Sequence, residues 1–237
     1  MSKKGLSPWI YFGCGCLAFA LILVGACVGG VFMLGKWGKD FGEQLADPVA
    51  RTERAMEMLG TDQLPEGFNA QFFLSVPFFM DMVMLSDGEP VEYQEGEAQV
   101  ESRDLGENAL FYLSMRDMGD QREQFEKALD GKMDDADVNM NFDFDPELQL
   151  GSGEMELGSQ HIRYSSFRGR FRDDSGHDMP GIYTIMLIDC PSTSRLRMAF
   201  YWSQNDPGGG VEADFAGTPA DEDTLRSFMG HFDLCAK

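Results

Sequence analysis

Apolar residues dominate one stretch near the start of the chain, from Trp9 to Leu34, inside an uncharged window from Gly5 to Gly35. A helix that rises about 1.5 Å per residue needs roughly 20 apolar residues to cross the hydrocarbon layer of a membrane. The pattern therefore predicts a short tail over residues 1–7 and a transmembrane helix over residues 8–35, with membrane lipid as its partner.

Two alternatives to a retained helix are a cleaved signal peptide and a lipoprotein signal. Residues 23–27 place small side chains before Cys27, as lipidation at that cysteine requires. Residues 28–34, however, stay apolar, whereas a mature chain should become polar at once, and a secretory apolar core is only about 7–15 residues long. We favour a retained signal-anchor, and lipidation at Cys27 stays as the alternative.

The flanking lysines do not decide the orientation, because Lys3 and Lys4 on one side face Lys36 and Lys39 on the other. The α-amino group adds positive charge to the N-terminal side, and a short tail ahead of a long domain usually stays in the cytoplasm. We therefore expect a single-pass cell-membrane protein whose domain is extracytoplasmic.

Two glycines of the anchor, Gly25 and Gly29, are four residues apart. This spacing leaves one helix face flat enough for another helix to approach closely. Glycine is also common in membrane helices generally. A homo-oligomer through the transmembrane helix is therefore one interpretation of the pair.

Residues 36–63 form a predicted juxtamembrane segment with a short amphipathic helix. Asp47 can cap that helix, Pro48 suits its first position and Gly60 its end. A single soluble acidic domain is predicted from residue 64 to 237.

Within this domain, apolar runs bounded by Gly and Pro predict strands, and apolar residues at helical spacing predict two more helices. The predicted strands lie within residues 64–94, 109–115, 137–145, 153–174, 181–190 and 195–202, and the helices within 120–131 and from Thr218, as the cap, onward. The fold class is α+β, an antiparallel sheet with packed helices. The element order resembles that of a PsbP/Mog1-like sandwich, a likeness of fold that implies no activity.

The charge of the chain excludes some partners. The formal net charge is −21, and none of the 40 acidic residues precedes Asp40. Nucleic acid and anionic lipid surfaces are themselves negative and would be repelled. We therefore predict no nucleic acid partner.

Of the five cysteines, Cys190 and Cys235 fall in the domain. Two cysteines can form a disulfide in an oxidising compartment or remain as reduced core thiols, and their spacing rules out the usual zinc sets. The sequence favours the disulfide and leaves the reduced pair as the alternative.

The only dense basic stripe is formed by Arg168, Arg170 and Arg172, which share one face of a predicted strand. Such a stripe could bind an anionic ligand through bidentate contacts. We favour pairing across strands instead, with Glu154 and Glu156 as the expected partners. His177, in a polar loop, is the histidine most suited to a functional role, although a solvated loop explains its position better.

The alternation of acidic and apolar residues over 137–145 could suggest calcium, but a calcium loop from Asp135 would need Gly at Met140 and Glu at Pro146. Motifs for zinc hydrolysis, nucleophile elbows and dinucleotide binding are absent. We predict no cofactor and no metal, and a non-enzymatic binding or assembly module for another envelope protein or ligand. The alternative is a membrane-anchored hydrolase or metal-dependent enzyme whose site combines residues distant in sequence.

Overall fold

A computed structural model describes residues 42–92, 105–117, 120–130, 143–172, 178–191 and 194–236. The chain divides into two units, Met1–Gln44 and Leu45–Lys237, and of the first only residues 42–44, which are helical, are described. The predicted transmembrane helix, with Gly25, Cys27 and Gly29, lies outside the described residues. Among the residues that are described, no helix is long and apolar enough to span a membrane.

The second unit is built on one seven-stranded sheet in the order β1-β2-β3-β7-β6-β5-β4. Every neighbouring pair of strands is antiparallel. The strands are β1 Asn69–Val76, β2 Met80–Ser86, β3 Asn108–Arg116, β4 Asp143–Leu157, β5 Gln160–Arg172, β6 Asp178–Asp189 and β7 Arg195–Ser203. Together with the packed helices, this sheet confirms the predicted α+β class.

Besides the helical residues 42–46, the sheet is accompanied by α1 Pro48–Leu59, α2 Asp120–Leu129 and α3 Glu222–Met229. The predicted limits of α1 are confirmed. The side chain of Asp47 accepts a hydrogen bond from the Val49 amide at 2.9 Å, Pro48 occupies the first position, and Gly60 ends the helix with φ of 62°.

The predicted start of α3 at Thr218 was wrong. The cap is Asp221, whose Oδ2 accepts hydrogen bonds from the amide of Thr224 at 2.9 Å and from its hydroxyl at 2.6 Å. Thr218 instead closes a turn, where its hydroxyl accepts from the Ala220 amide at 3.3 Å. Both Thr and Asp can cap a helix, so the side chains alone do not decide between them.

The sheet buries apolar side chains on both faces. One face packs against α1 and α3. The core between this face and the two helices includes the fully buried residues Leu59, Leu85, Ile162, Met186 and Leu225. The other face packs against α2, where Phe125 and Leu129 contact a cluster of residues from β3, β5, β6 and β7. Alternation of side chains along each strand produces this two-sided core.

Helix α1 belongs to the domain, and the predicted boundary at residue 64 therefore moves to Leu45. Ala55 and Leu59 are fully buried in the larger core. Arg51 is also fully buried, and its guanidinium donates to the carbonyl oxygens of Leu45 and Ala70, both at 2.7 Å, and of Val91 at 3.0 Å. A buried guanidinium needs such acceptors, because an unsatisfied buried charge is costly.

The separation of residues 137–145 from 153–174 into different predicted strands was also wrong, since β4 runs from Asp143 to Leu157 without interruption. The strand accommodates the sequence by two register shifts, between Pro146 and Leu148 and between Gln149 and Gly151. Gly153 lies against the ring of Tyr164, where a Cβ atom would come within 2.7 Å of the phenol oxygen. This glycine therefore permits a close contact within a strand.

The Arg51 contacts generate a stability prediction. Arg51→Met should lower the free energy of unfolding by roughly 3 kcal/mol, because two buried carbonyl groups and one partly buried carbonyl group lose their donor. Arg54→Met in the same helix is the matched control, since its pair with Glu57 is about half exposed and should cost at most about 0.5 kcal/mol. Urea unfolding measures both, and equal losses would contradict the account.

Candidate functional site

The structure uses the predicted basic stripe for internal ion pairs. Arg168 binds both carboxylate oxygens of Asp206, with Nη2 to Oδ1 at 2.6 Å, and also donates to the Gly209 carbonyl oxygen. Arg170 donates to Glu147 at 2.8 Å, and Arg172 to Asp178 at 2.8 Å. Each arginine therefore holds a different neighbouring segment to β5.

The prediction that Glu154 and Glu156 pair with the stripe was wrong. Residue Glu154 lies opposite Arg163 in the strand register, and both glutamates lie near His161, with Oε to Nε2 distances of 3.4 and 3.9 Å. The turn between Leu157 and Gln160 sets this register, which pairs the glutamates with the first residues of β5, far along the strand from the stripe. His177 lies outside the described residues.

The ion pair between Arg168 and Asp206 changes both pKa values. The hydrogen bonds from Arg168 hold the pKa of Asp206 below its usual value, and the same bonds raise the pKa of Arg168. The side chains are 16% and 25% exposed. This bidentate pair is therefore better shielded from solvent than the Arg170 and Arg172 pairs, which are 41% exposed or more.

Polar chemistry is concentrated at the opposite end of the sheet, which we call the disulfide end. There β6 leads into Cys190, which is joined to Cys235 near the C-terminus, with α-carbons 5.5 Å apart. The β1–β2 turn and the ends of β3 and β6 lie at this same end, as the antiparallel register requires. Three features lie at this end of the sheet.

The first feature is a charge network around Asp189 on the α2 face. Arg122 of α2 donates to Asp189 at 2.6 Å, and Arg163 of β5 donates to Glu126 at 2.8 Å and lies 3.6 Å from Asp189. The hydrogen bond to Asp189 raises the pKa of Arg122. His161 Nδ1 is 4.0 Å from the same carboxylate. Opposite charges within the network attract one another, so it fastens α2 to β5 and β6.

The second feature is a row of polar side chains that crosses β1, β2, β3 and β7. Asp81 accepts from the Ser75 hydroxyl at 2.6 Å and from Arg195 Nη2 at 2.8 Å. Arg195 Nε also donates to the Ser114 hydroxyl at 2.9 Å. Behind this row, burial raises the pKa of Tyr112, whose hydroxyl bonds Ser114. The row braces the base of the β1–β2 turn.

The third feature is the turn itself, Pro77-Phe78-Phe79, which we call the aromatic turn. Phe78 is 95% exposed and Phe79 44% exposed. The Phe79 amide donates to the Val76 carbonyl oxygen at 3.0 Å. With Pro77 at the second position and φ of 65° at Phe78, the geometry fits a type II turn, which normally has Gly or Asn in place of this phenylalanine.

The aromatic turn is costly in two ways. Phe78 is the only described non-glycine residue with positive φ, a conformation that costs an L-residue about 1 kcal/mol. Its exposed ring also gains little from burial in the fold. Strain and exposure at the same residue are typical of sites that act on something outside the domain.

None of the three features was predicted as a site from the sequence. Residues 78–85 fall within the predicted strand region 64–94, and their apolar run is typical of a buried strand or a hydrophobic loop. Pro77 was the available signal, since proline favours the second position of a turn. The Asp189 network had no local signal, because its members come from α2, β5 and β6.

Metal chemistry finds no support in the part of the chain that the structure describes. No group of three or more His, Cys, Asp or Glu side chains there is placed to hold a metal ion. His231, the other described histidine, has Nδ1 3.1 Å from the Phe228 carbonyl oxygen at the end of α3. The disulfide end therefore exposes an apolar surface at the aromatic turn. The polar contacts of Asp81 and Arg195 hold the base of that turn in place.

The depressed pKa of Asp206 generates a pH prediction. A carboxylate with a lowered folded pKa contributes stability above its unfolded pKa of about 3.9, and that stability is lost as pH falls through the folded value. Asp206→Asn should therefore lower the free energy of unfolding by about 1 kcal/mol at pH 7, with little difference near pH 2. Asp62→Asn, at an exposed loop position, is the control, and a loss at Asp206 that is independent of pH would contradict the assignment.

Comparison with known proteins does not assign a function to these features. The sequence matches no protein-family model, and no curated protein matches it. Any function must therefore be argued from the residues described above.

Proposed function

We propose that this protein is a single-pass, membrane-anchored binding or assembly module whose domain lies outside the cytoplasm and contacts another envelope protein. The anchor is the apolar segment of residues 8–35. The binding element belongs to the domain that begins at Leu45. We also propose, for the fold alone, a likeness to PsbP/Mog1-like sandwiches.

The observation that carries this proposal is the aromatic turn. Phe78 is 95% exposed with φ of 65°. The same residue therefore has a strained backbone and an apolar ring exposed to solvent. A large exposed aromatic side chain favours protein association. Elsewhere, the arginines that might have bound an anion are engaged with Asp206, Glu147 and Asp178.

Two observations support the location. The uncharged window from Gly5 to Gly35 has the length and composition of a membrane anchor. A bond between Cys190 and Cys235 is the kind of link that persists in oxidising compartments.

Purification after cross-linking in intact membranes tests the function. A tagged full chain should recover a second protein in stoichiometric amount, because the domain is proposed to bind one. The matched control is residues 1–41 with the same tag, which contain the anchor and lack the domain. Recovery of the full chain alone, or of the same protein by the anchor alone, would contradict the proposal.

The disulfide gives a prediction about compartment and stability. Non-reducing peptide mapping of protein taken directly from membranes should recover the Cys190 and Cys235 peptides joined. Replacing both cysteines by serine should cost about 4 kcal/mol in the chain-entropy model, given the sequence separation of 45. Two free thiols would remove both the bridge and the support it gives to an external domain.

A further inference from the structure

We infer that the aromatic turn docks as a knob into an apolar pocket of the partner protein, with the ring of Phe78 inserted and Phe79 at the rim. This inference rests on the proposed function, and it names the binding surface and the chemistry of the partner's site.

The aromatic turn is fixed before any partner arrives. The Phe79 amide donates to Val76, and the Phe79 carbonyl oxygen accepts from the Arg116 amide, both at 3.0 Å. Just below, Ser75 and Asp81 are joined across β1 and β2 at 2.6 Å. A knob that is already rigid loses little conformational entropy on binding, so more of its buried area appears as affinity.

The exposed rings are suited to one deep contact. A phenylalanine buries about 150–250 Å² when fully enclosed, and Phe78 is 95% exposed with Phe79 beside it at 44%. Large aromatic anchors in desolvated pockets commonly supply most of the affinity of an interface. The structure therefore favours a concave apolar site on the partner over a flat one.

The charge of the chain favours a protein over a lipid surface. Interfacial membrane-binding segments combine apolar residues with a strongly basic face. The whole chain instead has a net charge of −21, and the base of the aromatic turn pairs Arg195 with Asp81. Anionic headgroups would be repelled by the net charge of the chain.

The aromatic turn lies far along β1 from the first residue of the domain. Arg51 binds the carbonyl oxygens of Leu45, where the domain begins, and Ala70, near the start of β1. Strand β1 then continues to Val76, which places the turn about 20 Å along the strand from Ala70 at roughly 3.3 Å per residue. The aromatic turn therefore lies at the end of β1 away from the point at which the chain enters the domain.

Site-specific photo-cross-linking of the full chain in native membranes tests the docking surface. p-Benzoylphenylalanine in place of Phe78 should give an adduct with one other protein, and the same group in place of Val211 should not. Val211 is the matched control because it is also an exposed apolar residue, at 56%. An adduct with lipid only, an adduct of two copies of this chain only, or no adduct would each overturn the inference.

Two substitutions in the full chain complete the test with the protein identified in that adduct. Phe78→Asn should weaken its binding roughly thirtyfold, whereas Val211→Asn should change it less than about twofold. Phe78→Asn should also raise Tm by about 2 °C, because asparagine tolerates positive φ. Unchanged affinity of Phe78→Asn overturns the inference, and a large fall in Tm would show that the ring is structural.

The two proposals can fail separately. If cross-linking recovers a partner for the full chain but residue 78 gives no adduct with it, the module stands and the aromatic turn is not its docking surface. If neither experiment recovers a protein, both proposals fail.

Discussion

The pairing of β3 with β7 is the constraint on which the rest of the structure depends. Its register runs from Asn108 opposite Ser203 to Arg116 opposite Arg195, and it joins the β1–β2–β3 meander to the four strands that follow. Because side chains alternate along a strand, a slip of one residue would exchange the two faces of the sheet. The same register places Arg195 diagonally across from Ser114, to whose hydroxyl it donates, and this contact braces the base of the aromatic turn.

The sequence predicted those elements whose signals are local. Helix α1 has Asp47, Pro48 and Gly60 at its ends, and the β6–β7 hairpin has two apolar runs around a turn. The sequence could not predict the long-range features. Asp221 replaced Thr218 as a cap, and the position of the β4–β5 turn placed Glu154 opposite Arg163 and not Arg168, because tertiary contacts selected between locally equivalent choices.

In the candidate site, too, the local signals were visible in the sequence and the long-range contacts were not. Arginine stripes are visible in sequence, but the acids that engage them come from other segments, such as Asp206 for Arg168. Exposure of an apolar residue leaves no mark in sequence, so Phe78 and Phe79 resemble core residues until the fold is known. The structure thus shifts attention from charged groups, which fasten segments to the sheet, to an apolar turn that contributes little to its own fold.

The central claim is that an exposed and strained turn is nevertheless rigid, and amide hydrogen exchange of the full chain in detergent micelles tests it most directly. The Phe79 amide bonds Val76 and the Arg116 amide bonds Phe79. Both amides should therefore exchange roughly a hundredfold more slowly than in an unstructured peptide. Exchange of the Phe79 and Arg116 amides at the unstructured rate, with the β3–β7 amides still protected, would show a mobile turn and contradict the account.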